Sequence, residues 1–211
     1  MRKIFVITLA IFIWHSTYAQ WQELYFQAGF KKIIYNYYTT ARSEDGYQLE
    51  LNLTHFFSKR FAYSTGVAYE VKTIQEDYTI INPLPWSSYK SLFKFEYIVI
   101  PLQFEYKMIE KKFNVLSLRA GFEFCRLISK ENKTFHYNGF IKNNIDNYSI
   151  SKSIRNVSFG FNYRYLFWKN YFISLSPLVR FNTSANQGVG DQLEGYPFTY
   201  VITLASGYRF R

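Results

Sequence analysis

In residues 157–167, VSFGFNYRYLF, the side chains alternate between two kinds. Val157, Phe159, Phe161, Tyr163, Tyr165 and Phe167 fall on one phase, and Ser158, Gly160, Asn162 and Arg164 on the other. Successive side chains of an extended chain point to opposite faces, so a period of two with aromatic and β-branched residues on one side predicts a β-strand. The pattern recurs. Tyr47, Leu49, Leu51 and Leu53 oppose Gln48, Glu50, Asn52 and Thr54. Phe61, Tyr63, Val67, Tyr69 and Val71 oppose Ala62, Ser64, Gly66, Ala68, Glu70 and Lys72. Eight such segments are predicted, over roughly 23–35, 46–57, 61–73, 92–108, 113–128, 154–167, 171–183 and 198–210. Their connectors alternate between three or four residues and about 10 to 25, the layout of an up-and-down meander whose two ends differ.

The choice of core face decides the class. The chain holds 22 Phe, 20 Tyr and 4 Trp in 211 residues. An eight-stranded barrel is too narrow to hold eight faces of such rings, but its lumen suits small residues alternating with charges. A water-soluble barrel is apolar inside, and a membrane barrel is apolar outside. The sequence therefore predicts an all-β fold, an eight-stranded antiparallel up-and-down transmembrane β-barrel. Segments of 12–17 residues also cover the 9–11 that cross a bilayer at a tilt.

The first 19 residues have a different character. Arg2 and Lys3 precede the apolar run 4–14, and Thr17 and Ala19 suit positions −3 and −1 of a cleavage site. This is the pattern of a secretory signal peptide, and the run is too short for a spanning helix. The expected mature domain is 20–211, a single barrel domain. Loss of Arg2 and Lys3 lowers the formal net charge from +10 to +8. Cys125 is alone, so no internal disulfide and no cysteine-based metal site is expected.

In the fourth segment the outward phase changes from Phe93, Phe95, Tyr97 and Val99 to Leu102, Phe104, Tyr106 and Met108. A slip of one residue at Ile100-Pro101 predicts a β-bulge there, since proline supplies no ladder donor.

The stretch YIVIPLQFEYK, 97–107, resembles the "IPL" strand of small outer-membrane β-barrel proteins of the PorT-like type. In those proteins a signal peptide precedes eight strands and an aromatic-rich strand ends the chain. The resemblance implies fold and place, a barrel in the outer membrane of a Gram-negative envelope, and no task. Tyr208-Arg209-Phe210 also resembles the terminal aromatic signal read by the barrel-assembly machinery, although Arg211 follows the terminal Phe. Outer-membrane lipids and that machinery are the partners this implies.

Twelve charges fall on predicted lumen phases: Glu50, Glu70, Lys72, Lys94, Glu96, Glu105, Lys107, Arg119, Glu123, Arg164, Arg180 and Arg209. Ions in so narrow a lumen must be paired. They predict a salt-bridged plug, with a pore favouring anions as the alternative. Lys59-Arg60, Lys111-Lys112 and Lys169 lie at the short turns, where they would face periplasmic lipid headgroups rather than nucleic acid. Trp21 and Trp168 are placed in the periplasmic aromatic girdle.

No catalytic, cofactor or metal site is predicted. His55 is placed on an outward phase as an interfacial side chain, His136 in the long 129–153 loop, and neither has a Ser two residues away. Cys125 reads as an inert barrel residue. The leading functional expectation is a non-enzymatic structural or interaction barrel. Its long loops 73–91 and 129–153 carry Tyr78, Trp86, Tyr89, Phe135, Tyr137, Phe140 and Tyr148 for partner contact. A narrow channel or carrier for small solutes comes second, and a lipid-modifying enzyme third.

Overall fold

The computed structural model describes residues 21–33, 41–80, 87–136, 141–142, 152–168, 170–183 and 198–210. The expected signal peptide lies outside these residues, as do Lys169, Trp86 and the side chains of Trp21, Tyr78, Tyr89, Phe135 and His136. Tyr137, Phe140 and Tyr148 also lie outside them. Eight long strands form the wall: β1 (Trp21–Ile33), β2 (Ala41–Phe56), β3 (Phe61–Ile80), β4 (Ser87–Glu110), β5 (Asn114–His136), β7 (Ser153–Phe167), β8 (Tyr171–Asn182) and β9 (Phe198–Phe210). The two-residue β6 (Ile141–Lys142) pairs with the end of β5. Each wall strand is antiparallel to its neighbours, and β1 pairs with β9, so the sheet closes.

The register fixes the barrel's dimensions. Partners followed around the wall from Glu23 run through Thr54, Ser64, Gln103, Gly121, Ser158, Arg180 and Thr199, and return to Ile33. The path comes back ten residues further along β1, a shear of ten. With eight strands this gives a tilt of about 40° and a backbone radius of about 8 Å, a bore that side chains can fill.

The termini and the short turns share one end. At the β7–β8 turn Trp168 takes the left-handed φ of 44° and is 84% exposed, at the end that holds the short turns. Arg60, Lys111 and Lys112 are exposed at the same end.

Two expectations need correction. First, much of 73–91 and 129–136 is strand: β3 and β4 pair from Thr73↔Lys94 to Ile80↔Ser87, and β5 runs on to His136 opposite Tyr89. Second, no bulge lies at Pro101. Val99 is 0% exposed and Leu102 38% exposed, on opposite faces, with the β3–β4 register unchanged between them. The missing donor is absorbed by an interrupted ladder: pairing stops between Thr65↔Leu102 and Ala68↔Val99 and resumes in the same register. Pro177 interrupts β7–β8 in the same way. The register shifts of β4–β5 fall instead at Ile128 and Met108.

Phe93, Phe95, Tyr97 and Val99 therefore face inward, and Lys94 and Glu96 face outward. The cause is a change of solvent along the strand. Beside the bilayer the outer face must be apolar. Beyond it the outer face meets headgroups and water, and the inner face takes the apolar residues. Neighbouring strands make the same exchange at the same end: outward Arg126 and Arg155 flank inward Cys125 and Ile154. Inside, Ala68, Phe93, Phe95, Tyr97, Val99, Cys125 and Ile154 form an apolar lid, with Leu127 packed against it.

Candidate functional site

The lumen below that lid is the chemically distinctive part of the molecule. On β1, β2, β4, β5, β7, β8 and β9 its polar side chains project inward at every second position, alternating with the exposed apolar ones. They gather into two ionic clusters.

The cluster nearer the termini is a chain of alternating sign. Arg119 Nε lies 3.2 Å from Glu105 Oε2, and Arg119 Nη2 donates to Tyr25 Oη at 2.8 Å. Arg164 forks onto Glu105 with both terminal nitrogens, Nη2 at 2.6 Å from Oε2. Its Nε lies 3.1 Å from Glu23 Oε2. Arg209 completes the chain, donating to Glu23 Oε1 from Nε at 2.9 Å and from Nη2 at 2.7 Å. Three guanidiniums share two carboxylates, and aromatic faces take part of the excess charge. Arg164 lies over the rings of Phe56 and Phe172, at 5.7 and 5.8 Å. Lys107 also lies over Phe56, at 4.8 Å, and pairs with Glu110 at 3.0 Å. Tyr25, Val115, Leu166, Phe172 and Ala205 supply the apolar packing of this level.

The second cluster sits under the lid. Arg180 Nε is 2.8 Å from Glu123 Oε2, its Nη1 is 3.3 Å from Glu70 Oε2, and its Nη2 donates to Gln48 Oε1 at 2.8 Å. Lys31 also pairs with Glu70, and Lys72 reaches it at 3.9 Å. Lys72 Nζ also lies 5.3 Å from the centre of the Tyr97 ring, which joins this cluster to the lid. Glu50 is held by the side-chain amides of Gln27 and Gln48.

Ten of the twelve predicted lumen charges are therefore inside: Glu50, Glu70, Lys72, Glu105, Lys107, Arg119, Glu123, Arg164, Arg180 and Arg209. Lys94 and Glu96 are corrected to the outer face, where they pair with each other at 2.7 Å. Glu23 and Lys31 take their place in the lumen. Their alternation is legible in WQELYFQAGFKKI, where Glu23, Gln27 and Lys31 share a phase with Tyr25 and Gly29. The inward Tyr25 made that phase look mixed.

His55 keeps its outward phase but is only 2% exposed, stacked on Tyr63 with ring centres 5.0 Å apart. It is packed into the wall rather than spread at the interface. Cys125 is buried in the lid, where its Sγ accepts from Asn156 Nδ2 at 3.4 Å. Among the described residues, no three His, Cys, Asp or Glu converge to hold a metal ion.

The outer wall is the inverse of the lumen. On β7 the apolar run from Phe167 to Val157 holds Tyr165, Tyr163, Phe161 and Phe159, all 42–45% exposed. Ten residues at about 3.3 Å rise and a 40° tilt span roughly 25 Å, the height of an outer-membrane apolar band. Tyr106, Tyr165, Tyr171 and Tyr208 ring the edge nearer the termini, as interfacial tyrosines do. No water-soluble barrel turns such a belt outward while closing ion pairs inside.

The chain is an outer-membrane β-barrel. No protein-family model and no curated protein sequence matches it. Solved barrels do, at low identity. The chain is similar to Ail, the attachment invasion locus protein of Yersinia pestis, at 13% identity and a TM-score of 0.44, covering 90% of this chain and 98% of that one. It is similar to the outer membrane protein OprG from Pseudomonas aeruginosa at 12% identity and a TM-score of 0.40, covering 90% and 96%. It is similar to the outer membrane protease OmpT from Escherichia coli at 10% identity and a TM-score of 0.41, covering 90% and 96%. Neither attachment nor proteolysis passes to this barrel from those likenesses.

Proposed function

We propose that the barrel is a closed, non-enzymatic membrane anchor that carries a sheet beyond the bilayer for contact with other macromolecules. One observation carries this reading: across the bore, Glu23, Glu105, Arg119 and Arg164 are each 0–2% exposed, so charged side chains fill the section that a solute would have to cross. Opening a path would break several buried ion pairs at once, an unfavourable step for a passive pore. The projecting sheet gives the anchor something to present. β4 and β5 have 24 and 23 residues, against 12 in β8 and 13 in β9. A crossing needs 9–11, so the β3–β4–β5 side stands roughly 25 Å clear of the belt. The resemblance of 97–107 to barrels of the PorT-like type agrees with a small barrel in the outer membrane.

Single-channel recording on refolded protein in a planar bilayer tests the reading against the channel alternative. Silence at both polarities is the expected result, and steady current steps would reject a closed anchor. Incubation with outer-membrane lipid should leave its acyl composition unchanged. Release or transfer of a fatty acid would make the protein an enzyme.

A further inference from the structure

We propose that the barrel mouth at the short-turn end binds a glycan that carries carboxylates, the chemistry of the cell wall, on a platform of Trp168, Phe113, Lys111 and Lys112. Strain marks the site. Among the described residues Trp168 is the one non-glycine residue with a positive φ, 44°. L residues avoid that region, and glycine or asparagine would build the same turn at lower cost. Packing does not compensate the strain, since the side chain is 84% exposed. A bulky ring held in this way is a displayed ring, and strain of this kind collects where a side chain has a use.

A second exposed ring stands in the next turn. Leu166 N donates to Phe113 O at 2.7 Å and Asn114 pairs with Tyr165, so the β4–β5 and β7–β8 turns are neighbours. Phe113 is 47% exposed, with Lys112 Nζ 5.1 Å from its ring centre. Both rings are off the lipid-facing phase. Val115 on β5 and Leu166 on β7 are the last buried inward residues, and Phe113 and Trp168 are the next positions on that phase, past the mouth. The apolar belt ends instead on Tyr165 and Phe167. Lys111 and Lys112 are exposed beside the rings. The short turns, FSKR at 57–60, EKKF at 110–113 and FWKN at 167–170, contain one acid, Glu110, which pairs with Lys107 at 3.0 Å. The platform therefore suits a ligand with apolar faces and anionic edges. The negative face of an indole attracts the C–H face of a sugar ring, and carboxylates along the same polymer meet the lysines. Phospholipid supplies the anions but meets a barrel on its outward phase, which these rings do not share.

The inference rests on the membrane reading of the belt, whose short turns lie in the periplasm in barrels of this kind. It does not depend on whether the lumen conducts. Refolded protein in detergent micelles is mixed with purified peptidoglycan sacculi, and the fraction that sediments with them is measured. Wild type should sediment, and added salt should weaken the binding. Trp168→Asn places a residue that suits the left-handed backbone. It should keep the heat-sensitive mobility of the folded barrel and weaken binding about tenfold. Lys111→Gln with Lys112→Gln should weaken binding and reduce its dependence on salt, and Lys94→Gln at the opposite end should leave it unchanged. Absence of wild type from the pellet would overturn the proposal without any variant, as would undiminished binding by folded Trp168→Asn. A fluorescence measurement decides between wall and membrane. In the expected mature domain, 20–211, Trp21→Phe with Trp86→Phe leaves Trp168 as the remaining tryptophan. In nanodiscs of brominated phospholipid its emission should persist. Strong quenching would place the ring in the bilayer and overturn the assignment to a glycan.

Discussion

Arg180→Ala should destabilise the refolded barrel by about 3–5 kcal/mol, more than Arg164→Ala at about 3 kcal/mol. The ranking follows from what each change leaves behind. Arg164 holds Glu105 and Glu23, but Glu105 keeps Arg119 and Glu23 keeps Arg209. Arg180 is the cation beside Glu123 at 2.8 Å, and no second cation lies within ion-pair distance of that carboxylate among the described residues. Its loss strands a buried acid, the costliest way to break a pair, whereas Glu70 still has Lys31. Denaturant titration in detergent micelles, followed by the shift between folded and boiled mobility, measures the difference. Tyr163→Phe is the control: it keeps the outward ring and removes one exposed hydrogen bond to Asn114, so it should change stability by no more than about 1 kcal/mol. If Arg180→Ala matched that control, the ionic filling of the lumen would be ornamental.

Gly160→Val should prevent closure of the barrel altogether. Gly160 sits opposite Arg119 on β5 and beside the interrupted rung at Pro177 on β8. A Cβ added there would fall 2.2 Å from the Pro177 carbonyl oxygen and 2.8 Å from Leu178 Cα, both backbone atoms that cannot turn aside. The β8 backbone lies too close to this position for any side chain, so only a residue without one fits. The expected readout is protein that enters micelles but stays at its boiled mobility on unheated gels. Recovery of the compact, heat-sensitive form at wild-type yield would show that β7 and β8 can separate without loss of the sheet.

The eight strands were legible because a bilayer imposes one rule over the middle of each, apolar outward and small or charged inward, and period two records it. Arg164 and Arg180 were readable as lumen residues for that reason. The misreading of β4 has the same origin. FKFEYIV keeps its period while its surroundings invert, so an apparent slip at Ile100-Pro101 marks where the strand leaves the lipid and not where its hydrogen bonding fails. Lys94 and Glu96 are polar residues alternating with rings, the same pattern that places Gln103 and Glu105 inward lower on that strand, so the pattern alone does not show that they face outward. The extension of β3, β4 and β5 was hidden by Asn, Ser, Thr and Lys, which suit a water-exposed strand as well as a loop. Nor could the sequence show which cation meets which acid: Glu23 and Arg164 lie on strands far apart in the chain and meet only across the bore.

The Glu23 bridge also has a consequence for how the barrel is made. Glu23 is the third residue of the first wall strand, and its register partner Arg209 lies next to the end of the last. The chain that links them contains all the other strands, so their pair forms only when the final edge finds the first. Contacts of such long sequence separation are slow to form. Until then Glu23 and Arg209 are charges on two open edges, which resist dry pairing with a neighbouring molecule. On closing, Arg209 engages a carboxylate already held by Arg164, so the last strand to arrive joins a bond network built by the earlier ones. The two residues work as a clasp: each discourages misassembly while apart and slows reopening once joined.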